Sequence, residues 1–224
     1  MKKIYKENSA TILVDAQRGF TSICPKELPV PDGDKIVGEC LKTFEKTRFK
    51  VASKDAHSKS AEWITEFTNY VTKPIIERDR PYPQMDVYWP RHCEVGTNGF
   101  ELIPGLPPIE EFDFIVYKGA ENHIHPYSAV YHLLTPNSKG NRISTGVLEF
   151  LEYNCIDTVI IVGLATNYCC MATAIDLVEA RQARIKVIFN LAGCRGIGDV
   201  NPSIERMKAA GIEFVENSDE ISLE

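Results

Sequence analysis

Apolar residues fall into two alternating patterns along the chain. Short, nearly continuous apolar runs occur at ATILVD (10–15), FKVASKD (49–55), FDFIVYK (112–118), DTVIIVG (157–163), RIKVIFN (184–190) and IEFVEN (212–217). Each has strand length and lacks strict polar alternation, as strands covered on both faces do. Between them, apolar positions recur three and four residues apart. In 34–47, Ile36, Val37, Cys40, Leu41 and Phe44 share one helical face. Residues 144–154 read as a second helix, capped by Ser144 or Thr145. A third helix is expected from about 168 to 182. A fourth spans 201–211, with Pro202 near its start and Gly211 at its end. This alternation predicts a three-layer α/β/α fold around a parallel sheet.

With 224 residues and 44% apolar content, the chain is expected to form one domain over 1–224. Two stretches break the alternation, about 58–108 and 120–143. Both are rich in Pro, Tyr, His and Asn, and excursions of this kind tend to carry binding residues. A net charge of −6 and a pI near 5.5 argue against a nucleic-acid partner. No apolar stretch reaches the ~18 residues of a membrane span. The basic start is interrupted by Glu7 and Asn8, too early for a signal peptide. A cytoplasmic protein with no membrane partner is expected.

Seven cysteines stand at 24, 40, 93, 155, 169, 170 and 194. The odd number and the missing CxxC argue against a disulfide framework and against a Cys-rich zinc site. Most read as small core residues.

Open α/β sheets bind ligands beyond the C-terminal ends of their strands. Here the first run ends in Asp15, the second in Lys54, Asp55, Ala56 and His57, and the third in Lys118. The fourth leads into Cys169 and Cys170. On the third helix, Cys170, Met171, Ala174, Ile175, Leu177 and Val178 form the apolar stripe. Cys169 lines up with Thr173, Asp176 and Ala180 instead. Cys170 therefore reads as packing. Cys169 reads as a thiol in a helix's first turn, where the dipole would lower its pKa, or as one more small residue at a tight junction. Asp15 either caps the next turn or belongs to a site. Lys118 either reaches water or pairs with Asp15 beside the thiol. Such a set suits amide hydrolysis, with the acid moving the thiol proton to the leaving amine. Asp55 and His57, two apart in an extended segment, point the same way and could share an ion. His92 is the candidate third ligand and Glu66 a further one. One carboxylate and two imidazoles suit zinc, iron or manganese. Hydrogen-bonded or surface histidines are the alternative, and His123, His125 and His132 offer no comparable case.

These residues form motifs. The segments 14-VDAQRGF-20, 55-DAH-57 with 89-WPRHC-93, 117-YKG-119 and 164-LATNYC-169 resemble those of the nicotinamidase branch of the isochorismatase-like cysteine hydrolases. The likeness runs from about residue 10 to 218. It implies a six-stranded, mostly parallel sheet and a catalytic triad of Asp15, Lys118 and Cys169. It implies one divalent metal, zinc foremost with iron or manganese as alternatives, on Asp55, His57 and His92. It further implies a ring pocket of Phe20, Trp89 and Tyr127. A cis Leu164–Ala165 bond would aim the Ala165 and Cys169 N–H groups as an oxyanion hole. The implied substrate is nicotinamide, hydrolysed through a thioester to nicotinate and ammonia in NAD salvage, with pyrazinamide as an alternative. A homo-oligomer is left open. The rivals are a hydrolase of isochorismate, carbamoyl or ureido compounds, and a non-catalytic metal- or ligand-binding module. Asn167, where the family often has Asp, Cys170 beside the nucleophile, and the long 58–88 stretch depart from the pattern.

Overall fold

The computed structural model describes residues 1–65, 84–180 and 185–224, together with the backbone of 73–74. Six strands form the main sheet: β1 (Ser9–Val14), β2 (Phe49–Asp55), β3 (Phe114–Lys118), β4 (Thr158–Leu164), β5 (Lys186–Arg195) and β6 (Glu213–Val215). Their spatial order is β6-β5-β4-β1-β2-β3, and every neighbouring pair is parallel. Every residue of β1 and β4 is buried, which explains their continuous apolar runs.

Helices cover both faces. On one lie α2 (Val147–Tyr153), α3 (Met171–Ala180) and α4 (Asn201–Ala209). Their Leu151, Leu177 and Met207 pack on Ile12, Ile161 and Phe189 of the sheet. On the other face lies α1 (Val37–Lys46), whose Cys40 and Phe44 join Leu13, Ala52 and Val162. Each fully buried Leu, Ile or Phe contributes about 1.5–3 kcal/mol, so the two layers hold the sheet from both sides. The chain winds one way from β1 to β3 and the other way from β4 to β6. The switch between β1 and β4 opens a crevice at the strands' C-terminal ends.

Several boundaries differ from the periodic reading. β3 starts at Phe114, because Phe112 leaves a 3-10 turn and packs in the α1 layer. α2 starts at Val147, because Gly146 takes φ +96°. Ser144 and Thr145 do not cap it as expected, and their hydroxyls accept the N–H groups of Gly146 and Val147 instead. The third helix opens with a π-helical turn at Thr166–Cys170 before α3 begins. Thr173 and Asp176, off the apolar stripe, are buried as well. The 120–143 excursion lies over them: Thr173 Oγ1 accepts the Ala129 N–H, and Arg142 pairs with Asp176. Within the 58–108 excursion, Val87–Pro90 pairs with Ile64–Thr65 and with Lys73–Pro74. Lys2–Ile4 pairs with Ile221–Leu223. No helix among the described residues is long and apolar enough to cross a membrane.

Gly163 lets β4 close against β1. Its φ is +130°, and a Cβ there would overlap the Val14 carbonyl oxygen. Gly163→Ala is expected to lower stability by about 3 kcal/mol or more. A urea midpoint that moves by less than the equivalent of ~1 kcal/mol would contradict this close approach.

Candidate active site

Sheet register assembles the polar centre. Asp55 and Lys118 are direct partners across β2 and β3, so their side chains share a face. Ser53, two residues before Asp55, is the partner of Val14 at the end of β1. Asp15 follows with φ +43° and donates its N–H to Ser53 O at 3.1 Å. Ser53 Oγ donates back to Asp15 Oδ1 at 2.6 Å. Lys118 Nζ lies 2.8 Å from Asp15 Oδ2 and also pairs with Asp55 Oδ1. All three charged groups are buried. A lone ammonium could not be held there, and two carboxylates compensate it. Lys118 is thus an inward ion-pair member, and the carboxylate of Asp15 is partnered rather than capping.

Cys169 completes the cluster. Its Sγ lies 3.5 Å from Lys118 Nζ and within 4.8 Å of carboxylate oxygens of Asp15 and Asp55. Burial pushes the thiol well above its ordinary pKa, and Lys118 only partly opposes this. The expected lowering by a helix dipole is therefore overturned: desolvation dominates, and the residue sits in a π turn instead of the first turn of an α-helix. Burial likewise raises Asp15, against the pull of Lys118. Burial acts to lower Lys118, but Asp15 and Asp55 outweigh it and hold the amine well above its usual range. Burial would raise Asp55, but Lys118 and His57 keep it well below the usual carboxylate range. The arrangement is a protonated thiol beside a carboxylate whose proton affinity is raised, the pairing that lets a carboxylate act as general base. Cys170 is fully buried in the core cluster that also holds Cys194.

Two imidazoles face Asp55. His57 Nε2 lies 3.4 Å and His92 Nε2 3.9 Å from Asp55 Oδ2. His57 Nδ1 donates to Gly119 O at 3.0 Å, and His92 Nδ1 donates to Pro90 O at 2.6 Å. Both Nε2 lone pairs are thereby turned toward the centre, as backbone carbonyls commonly orient metal-binding histidines. His125, set aside by the sequence reading, is the missed member. Its ring stacks on His57 at 5.3 Å, and ligand atoms of His57, His92 and His125 lie within 4.8 Å of one another. His57 Nε2 and both His125 nitrogens are buried without a hydrogen-bond partner. Burial lowers His92 to about 3 and holds His125 well below its ordinary value. Three clustered imidazoles with unpartnered buried nitrogens on His57 and His125, beside the Asp55 carboxylate, fit a divalent ion. Only the spatial path of the 120–143 excursion reveals His125, since His125-Pro126 has no ligand spacing to His57 or His92. Glu66 lies outside the described residues.

The aromatic side chains form a cleft over this centre. Phe20, Trp89 and Tyr127 line it with Ala165, Cys169 and His125. Trp89 Nε1 donates to Tyr127 Oη at 3.1 Å, and Tyr127 Oη donates to Asp86 at 2.9 Å, which fixes both rings. Tyr168, not foreseen from the sequence, stands edge-on to Trp89 at 5.0 Å. The cavity is small, about 20 Å³, little more than one water. A wider cleft of about 470 Å³ shares Tyr127 and Tyr168 with it. The Leu164–Ala165 peptide, whose Ala165 lines the small cavity, is cis.

Asn167 is where the chain departs from the motif that 164–169 resembles. It clamps the π turn to the loop after β5, donating to Ile197 O at 2.9 Å and accepting from Ile197 N at 3.1 Å. An Asp could accept the second bond but could not donate the first.

The chain has recognisable relatives. The family model described as isochorismatase domain matches residues 9–213. A nicotinamidase of Acinetobacter baylyi is 33% identical over 220 residues, covering 93% of this chain and 92% of its own length. Among solved structures, a nicotinamidase–pyrazinamidase of Acinetobacter baumanii superposes with a TM-score of 0.75 at 28% identity, over 95% of this chain and 98% of the other. A pyrazinamidase of Pyrococcus horikoshii in complex with zinc gives 0.65 at 30% identity, over 93% and 98%. A family match over most of the chain, on a parallel sheet with a buried Asp–Lys–Cys cluster at its switch point, leads to one conclusion: the chain belongs to the isochorismatase family.

Proposed function

We propose that this chain is an amidohydrolase that converts nicotinamide and water to nicotinate and ammonia. The observation that carries this is a single thiol, Cys169, 3.5 Å from a buried lysine and within 4.8 Å of an Asp15 carboxylate oxygen, at the wall of an aromatic cleft. Relatives named nicotinamidase match nearly the whole chain, which supports the choice of amide.

In this reading the pyridine ring enters between Phe20, Trp89 and Tyr127. Asp15 takes the Cys169 proton as sulfur attacks the carboxamide carbon. The N–H groups of Ala165 and Cys169 receive the developing oxyanion. Lys118 keeps the carboxylate oriented while negative charge leaves the sulfur. Asp15 then delivers the proton to the departing nitrogen, and ammonia leaves a thioester on Cys169. Water, deprotonated by Asp15, releases nicotinate and restores the thiol. Asp55, His57 and His92, with His125 beside them, would hold one divalent ion, with zinc as the leading candidate. When bound, such an ion supplies a Lewis-acid centre for the ring nitrogen. Pyrazinamide keeps the ring nitrogen and the carboxamide, so it should be hydrolysed as well. In this reading the product acid would feed NAD salvage.

The test is ammonia release from nicotinamide and from pyrazinamide by the purified protein, with metal content measured on the same sample. Release from both supports the reading. No release from metal-loaded protein would overturn the substrate assignment and point to a carbamoyl or ureido compound.

A further inference from the structure

The turn that carries Phe20 and the segment that carries His92 are joined by one acidic side chain. Glu27 Oε2 accepts the N–H of Cys93 at 2.9 Å. Cys93 has φ +47°, and its carbonyl accepts the N–H of His57 at 3.2 Å. Cys93 thus lies in sequence next to His92 and in hydrogen-bond contact with His57. Glu27 itself is tied to the Phe20 turn, because Leu28 donates its N–H to Gly19 O at 3.1 Å.

The carboxylate lies where two glycines leave room for it. A Cβ at Gly19 would collide with Glu27 Oε2 and come within 2.8 Å of Cys93 Sγ, and a Cβ at Gly99 would overlap both carboxylate oxygens. Glu27 is half-buried, and burial raises its pKa. The nearby Arg18 does not compensate it, since that guanidinium donates to Leu102 O and Asn98 Oδ1. Among the described residues no cation pairs with it, and a half-buried carboxylate engaged with a backbone N–H alone is costly in stability. Its position is explained by what it holds.

We propose that Glu27 is a positioning residue for the metal centre: by accepting the Cys93 N–H in the Gly19–Gly99 gap, it fixes the backbone that sets His92 and His57 and joins it to the Phe20 wall. This rests on the metal reading above. Groups that orient ligands without touching the ion typically account for 10–100-fold in metal affinity.

The experiment is zinc affinity by chelator competition on the full chain, with the thermal midpoint of the zinc-free protein as a parallel readout. Glu27→Ala should weaken zinc 10–100-fold. Glu27→Gln keeps an acceptor oxygen and should stay within about threefold of wild type. Gly99→Ala displaces the carboxylate without removing it and should weaken zinc as Glu27→Ala does. Ile4→Ala, a core truncation in the separate cluster around Ile160 and Ile188, controls for general destabilisation. Unchanged zinc affinity in Glu27→Ala, equal losses in Glu27→Ala and Glu27→Gln, or an equal loss in Ile4→Ala would each overturn the proposal. If wild type takes up no zinc, iron or manganese, the metal reading itself falls, and this inference with it.

Discussion

Cys169→Ala is expected to abolish ammonia release, by about 10⁴-fold or more, while Cys170→Ala keeps activity within tenfold of wild type. The two thiols are neighbours in sequence, but the π turn sends them to different places. Cys169 reaches Lys118 and Asp15 at the cleft wall. Cys170 packs by Cys194, where burial holds its thiol well above its ordinary pKa. Removing the Cys170 sulfur should cost stability, ~1 kcal/mol for one small buried atom group, and leave the chemistry in place. Steady-state rates of both variants, with melting curves to show each is folded, decide the matter. Comparable losses of activity in two folded variants would sink the separation of roles.

Removing a histidine of the proposed metal centre should have an effect of similar size on a different readout. His57→Ala and His92→Ala are each expected to weaken zinc by more than about 100-fold, since even orienting groups account for 10–100-fold. Each ring has its Nδ1–H committed to a carbonyl, Gly119 O or Pro90 O, so Nε2 is the nitrogen left for an ion. His125 has neither nitrogen committed, and its loss should weaken zinc less, because no hydrogen bond pre-orients the ring. Metal content by elemental analysis, followed by chelator competition, gives the order. Zinc retained in full by His57→Ala and His92→Ala would show that the ion, if any, sits elsewhere.

Much of the fold is legible along the chain because it is encoded locally. Continuous apolar runs mark the six strands, three- and four-residue spacing marks α1, and Pro202 and Gly211 bound α4, since burial on both faces and burial on one stripe leave different periods. The parallel sheet follows from the alternation, and the functional edge follows from the parallel sheet. That edge assigns Asp15, Asp55, Lys118 and Cys169 to one rim, because each stands at or just beyond the end of a strand. Local encoding also explains the misplacements. Ser144 looks like a cap from its residue type, yet Gly146 at φ +96° starts α2 later.

What the sequence by itself determined is the order of elements, the layer architecture and the chemical kinds of residue at the crevice. The tertiary structure alone decided which of those residues meet and in what state. Lys118 reaches Asp55 across 63 positions of sequence, a contact set by strand register. His125 joins His57 because a long excursion folds back over the strand ends, and no periodicity records a loop's path. Ser53 orients Asp15 from the neighbouring strand, and Glu27 holds Cys93 across 66 positions. The thiol's proton affinity was decided in the same way. A helix start on paper suggests a lowered pKa, whereas burial among packed side chains raises it, because desolvation depends on every neighbour in three dimensions and on none in sequence alone.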